Sequence, residues 1–192
     1  IVGAVAGSAM AYRVGDTVQV ATAADDFRLV DQNGLAQSLR RLVDVDTIVV
    51  VSQLNDDAGS RKAGKALEAL QAQYPKSKFM MVNSKLGTTR AQIAAEAKSQ
   101  GYTFSVLHDE VQLAGEQLGV THAGEAFVLQ PKTLKVLYHG TVDGAGKALA
   151  DLKAGKPVAV KEVKASGTAI AFPERERRAE HAKISYEKDV AP

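Results

Sequence analysis

Cysteine is missing from all 192 positions, and that absence removes whole classes of mechanism. These residues offer no disulfide framework, thiolate nucleophile, dithiol couple, cysteine-ligated zinc or iron–sulfur cluster, and no covalent c-type haem. It does not assign a compartment. Charge of one sign is missing too. The net charge is +2, which implies no special affinity for nucleic acid or acidic lipid and reads as a mixed, solvated surface. There is no glycine-rich phosphate cradle, no pair of histidines at metal-ligand spacing, no internal repeat and no low-complexity tract. Hydrophobic residues at 45% and charged residues at 24% suit one well-buried domain with extensions.

What is present centres on Thr47-Ile48-Val49-Val50-Val51, the polar loop Ser52 to Ser60, and a helical run from Arg61 to Tyr74. A short β-branched run, a polar loop and a helix are how an α/β fold presents its working loop, where the carboxyl end of a buried strand meets the amino end of a helix. Upstream, Gly15-Asp16 reads as a turn before the alternating Thr17 to Val20. Phe27-Arg28-Leu29-Val30 leads into Asp31-Gln32-Asn33-Gly34, a hairpin signal because Asn and Gly tolerate positive φ. Leu35, Leu39 and Leu42 suggest a short helical turn under the core.

The helix from about Ser60 to Gln73 places Ala63, Ala66, Leu67 and Leu70 on one face, with Ser60 as its cap and Pro75 behind it. Phe79 to Ser84 predicts a second central strand, Thr88 to Gln100 a helix ended by Gly101, Phe104 to Leu107 a brief strand, and Gln112 to Leu118 a helix stopped by Gly119. Glu125 to Leu129 and Lys135 to Gly140 form a hairpin across Pro131, and Lys147 to Ala154 is the last helix of the domain. The expected fold is α/β, a mixed central sheet with helices on both faces and a β-hairpin near the start.

The ends carry separate expectations. Residues 1–11 are apolar and uncharged, and Ala9-Met10-Ala11 has the small-x-small form of a signal-peptidase site. Eleven residues alone cannot span a bilayer. The segment is expected to be the outer end of an uncleaved signal-anchor helix, with Gly3, Gly7 and Ala11 giving it a small-residue packing face. A signal remnant or a short core helix stays open as an alternative. The anchor reading places the chain on the periplasmic side of an inner membrane, with the domain over 12–160 and an extension or linker over 161–192. Glu174 to His181 reads as a charged linker or exposed helix.

The element order resembles the thioredoxin-like redoxin family, which includes peroxiredoxin-like and thiol–disulfide proteins of exported type. The likeness rests on Phe27 to Gly34, on Gly119-Val120-Thr121-His122-Ala123-Gly124-Glu125-Ala126-Phe127-Val128-Leu129, and most specifically on His108-Asp109-Glu110 through Asp143. It implies a three-layer thioredoxin-like sandwich. It also implies a nucleophilic cysteine at the start of the helix after the first central strand, where the chain instead has Asn55, Asp56 and Asp57. The proline that the family places before the facing strand is replaced by Ala123-Gly124. Both halves of the redox site are absent, so the loop of Asn55, Asp56 and Asp57 with His122 and Gly124 reads as a vestigial site reused as a contact surface. Lys183 to Pro192 resembles the segment that opens exported cytochrome c domains, and Thr168 stands where such proteins often carry a cysteine.

Other candidates weigh less. His108, with Asp109 and Glu110 beside it, could contribute metal ligands, but no second histidine lies two or four residues away. His122 is placed to approach Asp56 and Asp57, but no nucleophile accompanies it. His139 reads as a surface or packing residue, Met80 and Met81 as core, and the adjacent aspartates as helix caps rather than an opposed catalytic pair. The resulting reading is a redox-inactive accessory or structural subunit of a membrane-associated electron-transfer complex, with no cofactor within the chain. Its expected partners are protein subunits, a cytochrome c among them, and not nucleic acid. The alternative is the front part of a longer exported haem c protein.

Overall fold

Three apolar strands lie side by side and parallel at the centre of the molecule: β5 (Ile48–Gln53), β6 (Lys78–Asn83) and β7 (Ser105–His108). Burial on both faces is what their unbroken runs of Val, Ile, Phe and Met require. The computed structural model describes residues 22–181 other than residue 165, together with the backbone of β1 (Arg13–Val14) and β2 (Thr17–Val18), which pair with each other. Beyond β7 the sheet continues with β3 (Arg28–Asp31) and β4 (Ala36–Ser38). Beyond β5 it continues with β8 (Ala126–Leu129) and β9 (Val136–Gly140), giving the order β4-β3-β7-β6-β5-β8-β9. The other pairings between strands of this sheet are antiparallel.

The hairpin expected at Asp31-Gln32-Asn33-Gly34 forms between β3 and β4. Its turn is fixed by Asp31, fully buried, whose Oδ1 accepts from the N–H groups of Asn33 and Leu35 at 2.9 Å and whose Oδ2 accepts from Gln37 and Ser105. The leucines that follow make a single 3-10 turn, Leu39–Arg41, seated on the core by Leu39.

Two apolar clusters sandwich the sheet. One face is covered by α1 (Ala58–Gln73), α2 (Arg90–Gln100) and α4 (Val142–Lys153), through Leu67, Ile93, Ala97, Ala148 and Leu149. The other is covered by α3 (Leu113–Leu118), Phe27 and Leu39, and also by Ile170 and Phe172. Met80 and Met81 are core on opposite faces, as consecutive strand residues must be. Residues 161–181 therefore complete a layer: Phe172 is wholly buried, and α5 (Pro173–His181) follows it with Arg175 stacked 4.1 Å over its ring and donating to the Val120 carbonyl at 2.8 Å.

Two boundaries differ from expectation for physical reasons. Helix α1 begins at Ala58 because Asp57, not Ser60, is its cap. Helix α4 begins at Val142, five residues early, because Gly144 and Gly146, poor helix formers, serve packing. A Cβ on Gly144 would lie 1.9 Å from Tyr138 Oη, and one on Gly146 3.2 Å from Leu70.

The anchored periplasmic placement is corrected. Among the described residues no helix is long and apolar enough to cross a membrane. The longest, α1, has 16 residues and carries Arg61, Lys62, Lys65 and Glu68 on its surface, too short and too charged for a bilayer core. Residues 1–11, where the anchor was expected, and the cytochrome-like segment 183–192 lie outside the described residues.

Candidate functional site

The loop after β5 is held by side-chain amides. Gln53 and Asn83 face each other at the ends of β5 and β6, and Asn83 Nδ2 donates to Gln53 Oε1 at 2.7 Å and to Asn55 Oδ1 at 3.0 Å. Asn55 Nδ2 in turn donates to the Gln92 carbonyl on α2 at 2.8 Å. Asp56 adopts φ +58°, a left-handed conformation that Asp tolerates better than most residues. That turn swings its carboxylate out to solvent, where Arg61 Nη2 meets it at 2.8 Å. Arg61 Nε also reaches Glu96 on α2 at 2.8 Å, and the Glu96 carboxylate is what raises the guanidinium pKa.

Asp57 closes the loop onto α1. Its Oδ2 accepts from Ser60 N at 2.6 Å and so caps the helix, while Ser60 Oγ accepts from Leu54 N at 3.0 Å and ties the helix start back to the end of β5. Its Oδ1 accepts from Thr168 Oγ1 at 2.5 Å. Burial pushes the Asp57 carboxyl up, but donors from Thr168, Ser60 and Gly59 outweigh it and hold it below its ordinary value.

The facing loop, 121–125, is fastened to β5 by Ser52. Ser52 Oγ donates to the His122 carbonyl at 2.6 Å and accepts from Glu125 N at 2.9 Å, and Gly124 N donates to the Ser52 carbonyl at 2.9 Å. Gly124 sits at φ +82°, a conformation open to glycine and strained for most other residues. Beneath the loop lies Glu125, 1% exposed. Its carboxylate accepts from Thr121 Oγ1, from His122 N at 3.1 Å and from Thr121 N at 3.2 Å, and His139 Nε2 stands 3.5 Å away. Burial pushes this carboxyl up, but His139 and the Thr121 donors hold it below its ordinary value. The His139 ring stacks on Phe127 at 4.6 Å.

The sequence-predicted residues thus divide. Asn55, Asp56, Asp57, His122 and Gly124 do come together at the carboxyl end of β5. Among the described residues, His122 pairs with Thr121 at 2.8 Å and lies 3.5 Å from Glu125 rather than meeting either aspartate. His108 Nε2 faces the Thr88 carbonyl at 2.8 Å. The buried Asp109 carboxylate accepts from Ser84 Oγ at 2.6 Å and from the amino end of α3 at Gly115 N, 2.9 Å. No cluster of three metal-ligating side chains occurs among the described residues. Sequence reasoning missed the Glu125–His139 pair and the reach of Thr168. A carboxylate heading an otherwise apolar strand, four residues after a threonine, was the available signal for the first.

Chemically, the loop presents hydrogen-bond acceptors and contains no thiol. One carboxylate, that of Asp56, is presented outward, 88% exposed.

Solved structures show the same architecture. The chain aligns with a hypothetical protein from Sinorhizobium meliloti 1021 at 22% identity and a TM-score of 0.69, over 80% of this chain and 94% of that one. It aligns with an uncharacterized conserved protein from Geobacillus kaustophilus at 20% identity and a TM-score of 0.71, over 80% and 92%. It aligns with the peroxidoxin BcpB from Mycobacterium tuberculosis at 21% identity and a TM-score of 0.60, over 70% and 96%. No family model matches the chain, and no curated protein matches it. These comparisons give no support to the cytochrome-like reading of the tail. The chain has the thioredoxin-like fold of peroxiredoxin-type redoxin proteins, and it has that fold without a single cysteine.

Proposed function

We propose that the protein is a redox-inactive thioredoxin-like accessory protein that works through protein–protein contacts made by the face around Asn55–Asp57 and the 121–124 loop. The observation that supports this reading is the set of amide and carboxylate hydrogen bonds, with no thiol among them, at the amino end of α1. Thiol–disulfide exchange and thiol peroxidase chemistry require a thiolate, and the chain has none. Beside the network is an open groove of about 510 Å³ lined by Asn55, Asp56, Arg61, Lys85, Leu86 and Gln92. Leu86, 49% exposed, supplies an apolar contact next to the outward carboxylate. The partner class we assign is another subunit of an electron-transfer assembly, on the strength of the sequence resemblances, and the chain serves it without a cofactor of its own.

The test is co-purification from the native source with Asp56→Lys, which reverses the exposed charge and leaves the Asp57 cap in place. Capture of partner subunits is expected to fall at least tenfold, while the isolated chain stays folded and loses only about 1–2 kcal/mol for a lysine in the left-handed conformation without the Arg61 pair. Undiminished capture would remove this face from the interface. Peroxide consumption by the pure protein with a dithiol reductant is expected to equal the protein-free rate, and turnover above it would overturn the non-enzymatic reading.

A further inference from the structure

The 121–123 backbone is occupied by the chain's own carboxyl-terminal segment. Ala123 N donates to the Thr168 carbonyl at 2.8 Å and Ile170 N donates to the Thr121 carbonyl at 2.8 Å, an antiparallel bridge centred on His122 and Ala169. At the same point Thr168 Oγ1 reaches across to Asp57. The segment is anchored on both sides. Before it, Val163 N donates to the His139 carbonyl and His139 N to the Lys161 carbonyl, both at 2.9 Å. After it come the buried Ile170 and Phe172. Between the anchors, Ser166, Gly167, Thr168 and Ala169 are exposed, and Gly167 passes so close that a Cβ there would lie 2.5 Å from the Ala123 carbonyl oxygen.

We propose that loop 121–123 with Asp57 is a binding edge for an extended peptide, and that residues 166–169 are its built-in occupant. The occupant defines the partner's chemistry. It must present backbone groups in antiparallel register, a glycine where the backbone grazes Ala123, and next to it a serine or threonine hydroxyl for Asp57. The arch can lift while its anchors remain in the core, so an outside segment competes with a tethered one and binds only weakly until the arch is displaced. This rests on the contact-surface reading above and adds how half of that surface is held closed.

The test uses the full chain, isotopically labelled, and the synthetic peptide Ser-Gly-Thr-Ala-Ile-Ala, which copies residues 166–171. The arch is lifted by Gly167→Val, through its clash with the Ala123 carbonyl, or by Thr168→Val, which keeps the side-chain shape and deletes the hydroxyl. The peptide is expected to shift the amide resonances of Ala123 and Gly124 in either variant at concentrations at least tenfold below those the unaltered chain requires. A peptide with valine in place of threonine should bind at least fivefold more weakly. Absence of those shifts in both variants, or equal binding to the unaltered chain, would overturn the proposal. No partner protein enters this assay. Peptide binding with undiminished capture by Asp56→Lys would therefore fault the contact-surface reading alone, and the reverse result would fault the built-in occupant alone.

Discussion

Replacing Glu125 by leucine tests the reading of the buried network most directly. The carboxylate is 1% exposed and satisfies Thr121 N, Thr121 Oγ1 and His122 N, with His139 at ion-pair distance. Leucine removes every acceptor and leaves the donors behind. Each buried donor left unsatisfied costs about 1–3 kcal/mol. With three donors stranded, we expect a loss of about 4 kcal/mol in urea unfolding at pH 7, and a fall in the thermal midpoint on the order of 10 °C for a chain of this size. Glu125→Gln keeps one oxygen but turns an amide N–H₂ toward a donor, so its loss should be about half as large. The pH dependence separates charge from shape. Because the folded carboxyl lies below its unfolded value, the unfolded chain binds the proton more readily. The charge therefore contributes stability above the unfolded value, around the ordinary 4.5, and that contribution disappears as pH falls through the folded value. The difference between the parent and Glu125→Gln should shrink on that acid limb. A leucine variant that loses less than about 1 kcal/mol, or a glutamine variant whose deficit is constant down to acid pH, would refute the reasoning.

Asp57→Ala removes the α1 cap and the Thr168 contact and should cost about 1–2 kcal/mol in urea unfolding at neutral pH. The Asp57 carboxyl is also held below its ordinary value, so the cost should diminish as pH falls through the folded value. Gly144→Ala should destabilise by about 1–3 kcal/mol despite the better helix propensity of alanine, because the new methyl meets the Tyr138 hydroxyl. A stabilised variant would show that the ring moves aside freely. Asp109→Ala strips the acceptors from Ser84 Oγ, Ala114 N and Gly115 N in a fully buried position, and should cost about 2–4 kcal/mol by the same denaturation measurement.

Local grammar made much of the fold legible. The β5 run, the Asn33-Gly34 turn, and Gly101 and Gly119 after α2 and α3 each act through their immediate neighbours, so a reader of the chain finds them. Asp57 and Ser60 show the limit of that grammar. Both can cap a helix, and the choice was made by Leu54 N, which needed the Ser60 hydroxyl as its acceptor. Glycines misled at the start of α4 because their value there lies in contact with Tyr138 and Leu70, not in helix propensity. The site was half legible: Asn55 to Asp57 and the 121–124 loop were brought together by element order. Thr168 and His139 entered through pairings more than a dozen residues away in sequence, which no periodicity encodes.

The burial of Ile170 and Phe172 also bears on how the molecule is made. Phe172 fills a cluster that includes Ala24 and Phe27, so one layer of the interior joins residues nearly at opposite ends of the described chain. A nascent polypeptide emerging from the ribosome can form β5-α1-β6 from neighbouring residues, yet it cannot seal the opposite layer until residue 172 has left the exit tunnel. Until then Phe27, Leu39 and Leu118 present an open apolar surface, and a chaperone that binds such surfaces has its longest opportunity in that interval. Ribosome-stalled chains ending shortly before and well after residue 172 should differ sharply in protease resistance, with the step falling where this phenylalanine becomes free to dock.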